Sequence, residues 1–83
     1  MAAFRTVSST SSWVALPDLP AGEVDILNST GESLQLRYAG QTGAGQQITI
    51  PDGGSVKASV VANAKEIEIK ATTGAAGVQL IIS

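Results

Sequence analysis

The acidic residues are the first candidates for chemistry in this sequence. Two pairs of the seven acidic residues stand two positions apart, Glu23 with Asp25 and Glu66 with Glu68. Carboxylates at this spacing share one face of a strand, where a pair could support glycoside hydrolysis or hold a calcium ion. Both pairs alternate with aliphatic residues, which is typical of the solvent-facing side of a half-buried strand. We therefore interpret them as a solvated surface.

Other kinds of active site are excluded by the residue types that the chain lacks. The 83 residues include no His and no Cys, so histidine bases, cysteine nucleophiles, His/Cys zinc sites and disulfides are ruled out. The glycine-rich segment Gly40–Gly45 is not followed by the Lys-Ser/Thr pair of a phosphate-binding loop, and we interpret it as a hairpin loop. We expect a protein that is not an enzyme and uses neither a cofactor nor a metal.

Charge and hydropathy narrow the possible partners. The formal net charge is −2 and the five basic residues form no run, so we expect no binding to nucleic acid. No apolar stretch reaches the length of a membrane span and the first residues lack the pattern of a secretion signal, so we expect no contact with a membrane. Of the three aromatic residues, we expect Trp13 to cap one end of the fold and Tyr38 to face the core.

Alternation with a period of two predicts the fold. From Glu23 onward, six segments alternate aliphatic with polar residues, and turn signals such as Pro51–Gly54 separate them. The pattern predicts an all-β fold, a small antiparallel β-sandwich or barrel of about seven short strands with an extended N-terminal segment. The predicted core comprises Val24, Ile26, Leu34, Leu36, Tyr38, Ile48, Ile50, Val56, Val60, Ile67, Ile69, Val78, Leu80 and Ile82.

Several residues fall outside this regular pattern. Residues 1–12 are rich in Ser and Thr, and they form either an N-terminal arm or an edge strand ahead of a single β domain over 13–83. Three aliphatic residues have the opposite parity to the core set, which either reflects bulges and covered strand ends or marks a surface buried between subunits. The candidate interface residues are Phe4, Arg5, Leu27, Val61 and Ile81.

A resemblance to a known group of proteins rests on three segments. These are residues 23–40, with Asn28-Ser29-Thr30-Gly31 and Arg37-Tyr38, residues 48–56, with Ile50-Pro51-Asp52-Gly53, and residues 61–70, with Asn63-Ala64-Lys65-Glu66-Ile67. Together they resemble small virion proteins of tailed bacteriophages, and within that group a capsid decoration (cement) protein. The resemblance implies a homotrimer that binds the major capsid protein on the capsid exterior, after a stay in the host cytoplasm during assembly. It implies no catalytic residues.

A second class of function remains open at the sequence level. A minor tail or fibre-tip protein could act as a receptor- or carbohydrate-binding module, and it would concentrate aromatic and polar residues in one set of loops. The loops of this chain are instead rich in Gly, Ala and Thr. In either class, a chain of this size without disulfides or a metal is expected to gain stability by oligomerising or by docking on a larger assembly.

Overall fold

Two four-stranded antiparallel sheets face each other in the computed structural model, which describes residues 3–74 and 76–83. The strands are β1 (Ala3–Ser8), β2 (Val14–Ala15), β3 (Glu23–Asn28), β4 (Leu34–Tyr38), β5 (Ile48–Ile50), β6 (Ser55–Ser59), β7 (Ile67–Ala71) and β8 (Ala76–Ile82). Sheet A has the order β1-β8-β3-β6, and sheet B has the order β2-β7-β4-β5. This architecture confirms the predicted all-β fold, with eight strands where about seven were expected.

Helical structure is confined to two single 3-10 turns among the described residues, Ala44–Gln46 and Ala64–Glu66. Within the described ranges, no helix is long and apolar enough to cross a membrane. The second turn is capped by Asn63, whose side-chain oxygen accepts a hydrogen bond from the Lys65 N–H at 2.9 Å. This turn closes the connection between β6 and β7, so it reverses the chain from sheet A into sheet B.

The core lies between the sheets and follows the predicted alternation closely. Aliphatic side chains at every second position of β3, β4, β7 and β8 are buried. Ile48 departs from the prediction: it is 46% exposed, because β5 is an edge strand of only three residues. Tyr38 is half-buried and its hydroxyl donates to the Ser59 carbonyl at 2.7 Å, which links the two sheets.

Asn28, the last residue of β3, is a fully buried polar residue whose side chain joins the two sheets. Its side-chain nitrogen donates to the carbonyls of Glu32 and Ile50, at 2.7 and 2.8 Å, while its side-chain oxygen accepts from the N–H and hydroxyl of Thr30. Because every polar atom of the amide is satisfied, burial costs little. Asn28 ends β3 in sheet A and Ile50 ends β5 in sheet B, so this side chain fixes how the sheets overlap.

Residues Ala3–Ser8 of the N-terminal segment form an edge strand, β1. β1 pairs with β8 in antiparallel register, with Phe4 opposite Ile81 and Thr6 opposite Gln79. The register shifts after Val7, where Gly77 takes a φ of 110° that side chains rarely adopt. A Cβ at Gly77 would lie 2.5 Å from the Ser29 carbonyl oxygen, so glycine is required at this bulge. β8 is therefore an internal strand between β1 and β3.

Candidate interaction surface

The outer face of sheet A carries the residues whose parity is opposite to that of the core. Strand register places them in two rows that cross the sheet. The first row runs Phe4, Ile81, Asp25, Lys57, and the second runs Thr6, Gln79, Leu27, Ser55. Leu27 and Ile81 therefore point outward, as parity predicted, and Phe4 joins them from the neighbouring edge strand.

A groove of about 400 Å³ lies on this outer face, and residues of both rows line it. Phe4, Leu27 and Ile81 supply its apolar lining, while Asp25 and Lys57 stand towards β6. Phe4 is 59% exposed and Ile81 is 49% exposed. We call the three apolar residues the sheet A patch. They come from three adjacent strands, so they form one continuous apolar surface instead of scattered exposed residues.

The charges beside the patch are incompletely paired. Lys57 lies directly across from Asp25 in the register, yet its ammonium pairs with Glu23, at 3.6 Å. Among the described residues, the Asp25 carboxylate makes no hydrogen bond or ion pair, although Asp25 is half-buried. The outward positions of sheet A thus hold two acidic residues and one basic residue. This leaves one surplus negative charge next to an apolar surface.

The outer face of sheet B is built differently. Arg37 and Glu68 face each other across β4 and β7, and the Arg37 Nε donates to the Glu68 carboxylate at 2.8 Å. The Arg37 guanidinium lies 4.1 Å from the centre of the Trp13 ring, and the Lys70 ammonium lies 5.1 Å from it. Contacts of this kind are attractive between a cation and an aromatic face. The expectation that Trp13 caps an end of the sandwich was wrong, since it stacks beneath the cations of this face.

The second pair of acidic residues is not a solvated pair on one strand face, as the sequence suggested. Glu66 lies in the 3-10 turn and Glu68 in β7. The Glu66 carboxylate accepts hydrogen bonds from the backbone N–H groups of Val61, Ala62 and Asn63, at 2.7 to 2.8 Å. These bonds, that of Val61 foremost, hold the pKa of Glu66 below its usual range. Glu66 therefore stabilises the loop over residues 61–63 by accepting hydrogen bonds from its backbone.

A second carboxylate, that of Glu32, accepts hydrogen bonds from the turn between β7 and β8. This role of Glu32 was not predicted from the sequence. The hydroxyl and N–H of Thr73 donate to Glu32 at 2.6 and 3.0 Å, and the Gly74 N–H donates at 3.3 Å. The Thr73 hydroxyl is the largest cause of a lowered pKa at Glu32. Glu32 is isolated in the sequence from other acidic residues. Only the spatial approach of the β7–β8 turn to the β3–β4 turn reveals its role.

The remaining two candidate interface residues lie apart from the sheet A patch. Val61 is 94% exposed in the loop that Glu66 clasps, and it does not line the groove. Arg5 is on β1, at a position whose parity is opposite to that of Phe4, and its Nη1 donates to the Phe4 carbonyl at 2.9 Å. The structure thus brings together three of the five candidates.

Comparisons of this chain with protein families, with curated proteins and with solved structures found no match. Within residues 3–74 and 76–83, no group of three or more acidic side chains is placed to hold a metal ion. The fold defines a small antiparallel β-sandwich, and the feature with the clearest capacity to bind is the sheet A patch.

Proposed function

We propose that this protein is a non-enzymatic structural protein of a tailed-bacteriophage virion, which binds the outer surface of the capsid lattice and stabilises the head. The observation that carries this proposal is the sheet A patch, in which the exposed Phe4 and Ile81 and the half-buried Leu27 line one groove. A continuous apolar surface on a small sandwich is typical of a protein–protein interface. The resemblance of residues 23–40, 48–56 and 61–70 to capsid decoration proteins supplies the partner, the major capsid protein.

The size of the face explains why such a protein would act as an oligomer. Four strands about 4.8 Å apart and about 20 Å long present roughly 400 Å². A stable interface between two proteins usually buries about 800 Å² on each side. One face is therefore too small for tight binding, whereas three linked faces in a homotrimer would engage together at a high effective concentration. The small area of one face therefore favours a trimer that binds a repeating lattice.

The proposed mechanism of stabilisation is passive. A protein that binds the mature lattice more tightly than its precursor stabilises the mature form by mass action. No chemical step is needed, which suits a chain without His or Cys. The patch would bring neighbouring capsid subunits under one bound oligomer.

Copy number in purified particles tests the proposal most simply. Quantitative mass spectrometry against the major capsid protein should find hundreds of copies in each particle, because decoration sites repeat over the lattice. A handful of copies would place the protein in the tail and overturn the proposal in favour of a fibre-tip role. Complete absence from particles would overturn both.

A further inference from the structure

The groove on sheet A has two ends of different character. Towards β1 it is lined by the apolar side chains of Phe4 and Ile81, and towards β3 and β6 it carries Asp25 and Lys57. Because the rows of residues cross the strands, the groove runs across the sheet, over a span of about 14 Å for four strands. An extended segment of four to five residues at about 3.3 Å per residue fits this length.

The charge beside the groove defines what this segment must carry. Lys57 is drawn towards Glu23 and leaves the half-buried Asp25 carboxylate without an ion-pair partner among the described residues. A carboxylate against an apolar surface is stabilised by a donated, charged hydrogen bond, which is stronger there than in open water. The complementary group is therefore a cation placed next to an aliphatic side chain.

We propose that the groove binds an extended segment of a partner protein with an aliphatic side chain and, two residues away, a Lys or Arg that pairs with Asp25. Side chains two residues apart on an extended segment lie on one face, about 7 Å apart. That separation falls between the distances from Asp25 to Ile81, one strand away at about 5 Å, and to Phe4, two strands away at about 10 Å. The identity of the partner as a capsid protein rests on the proposed function.

A second copy of this chain is a poorer occupant of the groove. Two copies stacked face to face about a twofold axis would bring the same surface together. Each face carries Glu23 and Asp25 against Lys57 alone, so two faces together would bury a net charge of about −2 with no compensating cation. The area of about 400 Å² on each side is also below what a stable dimer needs.

Small probes test the chemistry of the groove without knowledge of the partner. We would titrate hexylammonium, 1-hexanol and hexanoate into the full chain and follow the methyl resonances of Leu27 and Ile81 by NMR. Hexylammonium should shift the methyl resonances of both residues, and its binding should saturate at the lowest concentration of the three probes. Hexanoate should bind most weakly. Equal binding of hexylammonium and hexanoate would overturn the proposal. So would shifts that rise with protein concentration alone and are confined to the residues that line the groove, which would indicate a second copy in the groove.

Two variants that each remove one carboxylate charge distinguish a specific ion pair with Asp25 from a general effect of charge. Asp25→Asn should weaken hexylammonium binding about tenfold, as expected for the loss of one charge-assisted hydrogen bond. Asp18→Asn removes one carboxylate charge that lies outside the groove lining and is paired with Lys65 instead of Lys57, so it should change binding much less. Equal effects of the two variants would overturn the assignment to Asp25. The comparison of probes on the unmodified chain stands even where a variant folds poorly.

Binding to capsid particles distinguishes failure of this proposal from failure of the proposed function. If the unmodified chain and Asp25→Asn bind particles equally, the role of Asp25 is overturned while the capsid function stands. If hexylammonium binds as predicted and no particle binds the protein, the groove chemistry stands and the capsid function is overturned.

Discussion

The outer faces of the two sheets differ in how far their charged and apolar side chains are engaged by other residues of the chain. On sheet B, Arg37 is paired with Glu68 and stacked on Trp13, so its charge is engaged within the chain. On sheet A, Phe4 and Ile81 are exposed and Asp25 has no partner among the described residues. Both faces belong to four-stranded sheets with buried inner faces. The outer face of sheet B therefore adds contacts within the chain, whereas the outer face of sheet A leaves apolar and charged groups available to a partner.

The largest expected effect follows from removing the aliphatic part of the sheet A patch. Leu27→Thr combined with Ile81→Thr places residues that favour strands at both positions. The double variant should reduce binding to capsid particles at least tenfold for each residue, since burying an aliphatic side chain is worth about 1.5 kcal/mol. Co-sedimentation with undecorated heads measures this loss. Gln35→Thr, on the outer face of sheet B, is the matched control. Equal losses in the two proteins would contradict the distinction between the faces.

A substitution on the outer face of sheet B should lower the stability of the fold and leave binding to capsid particles unchanged. Arg37→Met removes the ion pair to Glu68 and the contact with Trp13, and we expect it to lower the free energy of unfolding by about 1 to 2 kcal/mol. Urea denaturation followed by circular dichroism gives this value. Lys65→Met, which removes an exposed ion pair to Asp18, should cost less. A variant at Arg37 that keeps full stability but loses particle binding would reverse the roles of the two faces.

The stability of the protein at acid pH should depend on Glu32 and Glu66, which lie outside the outer faces of both sheets. Hydrogen bonds from Thr73 lower the pKa of Glu32, and those from Val61 and its neighbours lower the pKa of Glu66. A carboxyl group with a lower pKa in the folded state stabilises the fold above its unfolded pKa, and this stability is lost as pH falls through the folded value. The melting temperature should therefore drop as the pH falls from about 5 to about 2, through and below the usual glutamate range.

Glutamine variants test that acid dependence. Glu32→Gln and Glu66→Gln should each melt at a lower temperature than the unmodified protein at neutral pH, and should lose less of their melting temperature on acidification. The double variant should show the flattest profile. If all four proteins lose the same amount on acidification, other carboxylates control the acid response.

The smallest expected effect concerns salt. The patch is mainly apolar and offers one surplus carboxylate, so raising ionic strength should weaken particle binding only slightly. Binding titrations at low and high sodium chloride measure the effect. A steep decrease with salt would indicate an interface dominated by charge, which is the character of sheet B more than of sheet A.

The fold and the core could be predicted from the sequence more completely than the contacts on the surface. Alternation identified most core positions and the outward orientation of Leu27 and Ile81, because side-chain direction in a strand has a period of two. It did not reveal that Phe4 lies beside Ile81, because alternation does not set the register between β1 and β8. Nor did it reveal the loop-clasping bonds of Glu32 and Glu66, since these join turns through folded geometry.

Heat-induced release of DNA from phage heads tests the central claim most directly. Heads that lack the protein, heads supplied with the unmodified protein and heads supplied with the Leu27→Thr/Ile81→Thr variant would be heated in parallel, with a DNA-binding dye as the readout. We expect heads with the unmodified protein to release DNA at a higher temperature than undecorated heads, and heads with the variant to release it at the same temperature as undecorated heads. If undecorated heads hold their DNA to the same temperature as decorated heads, head stabilisation is not the role of this protein.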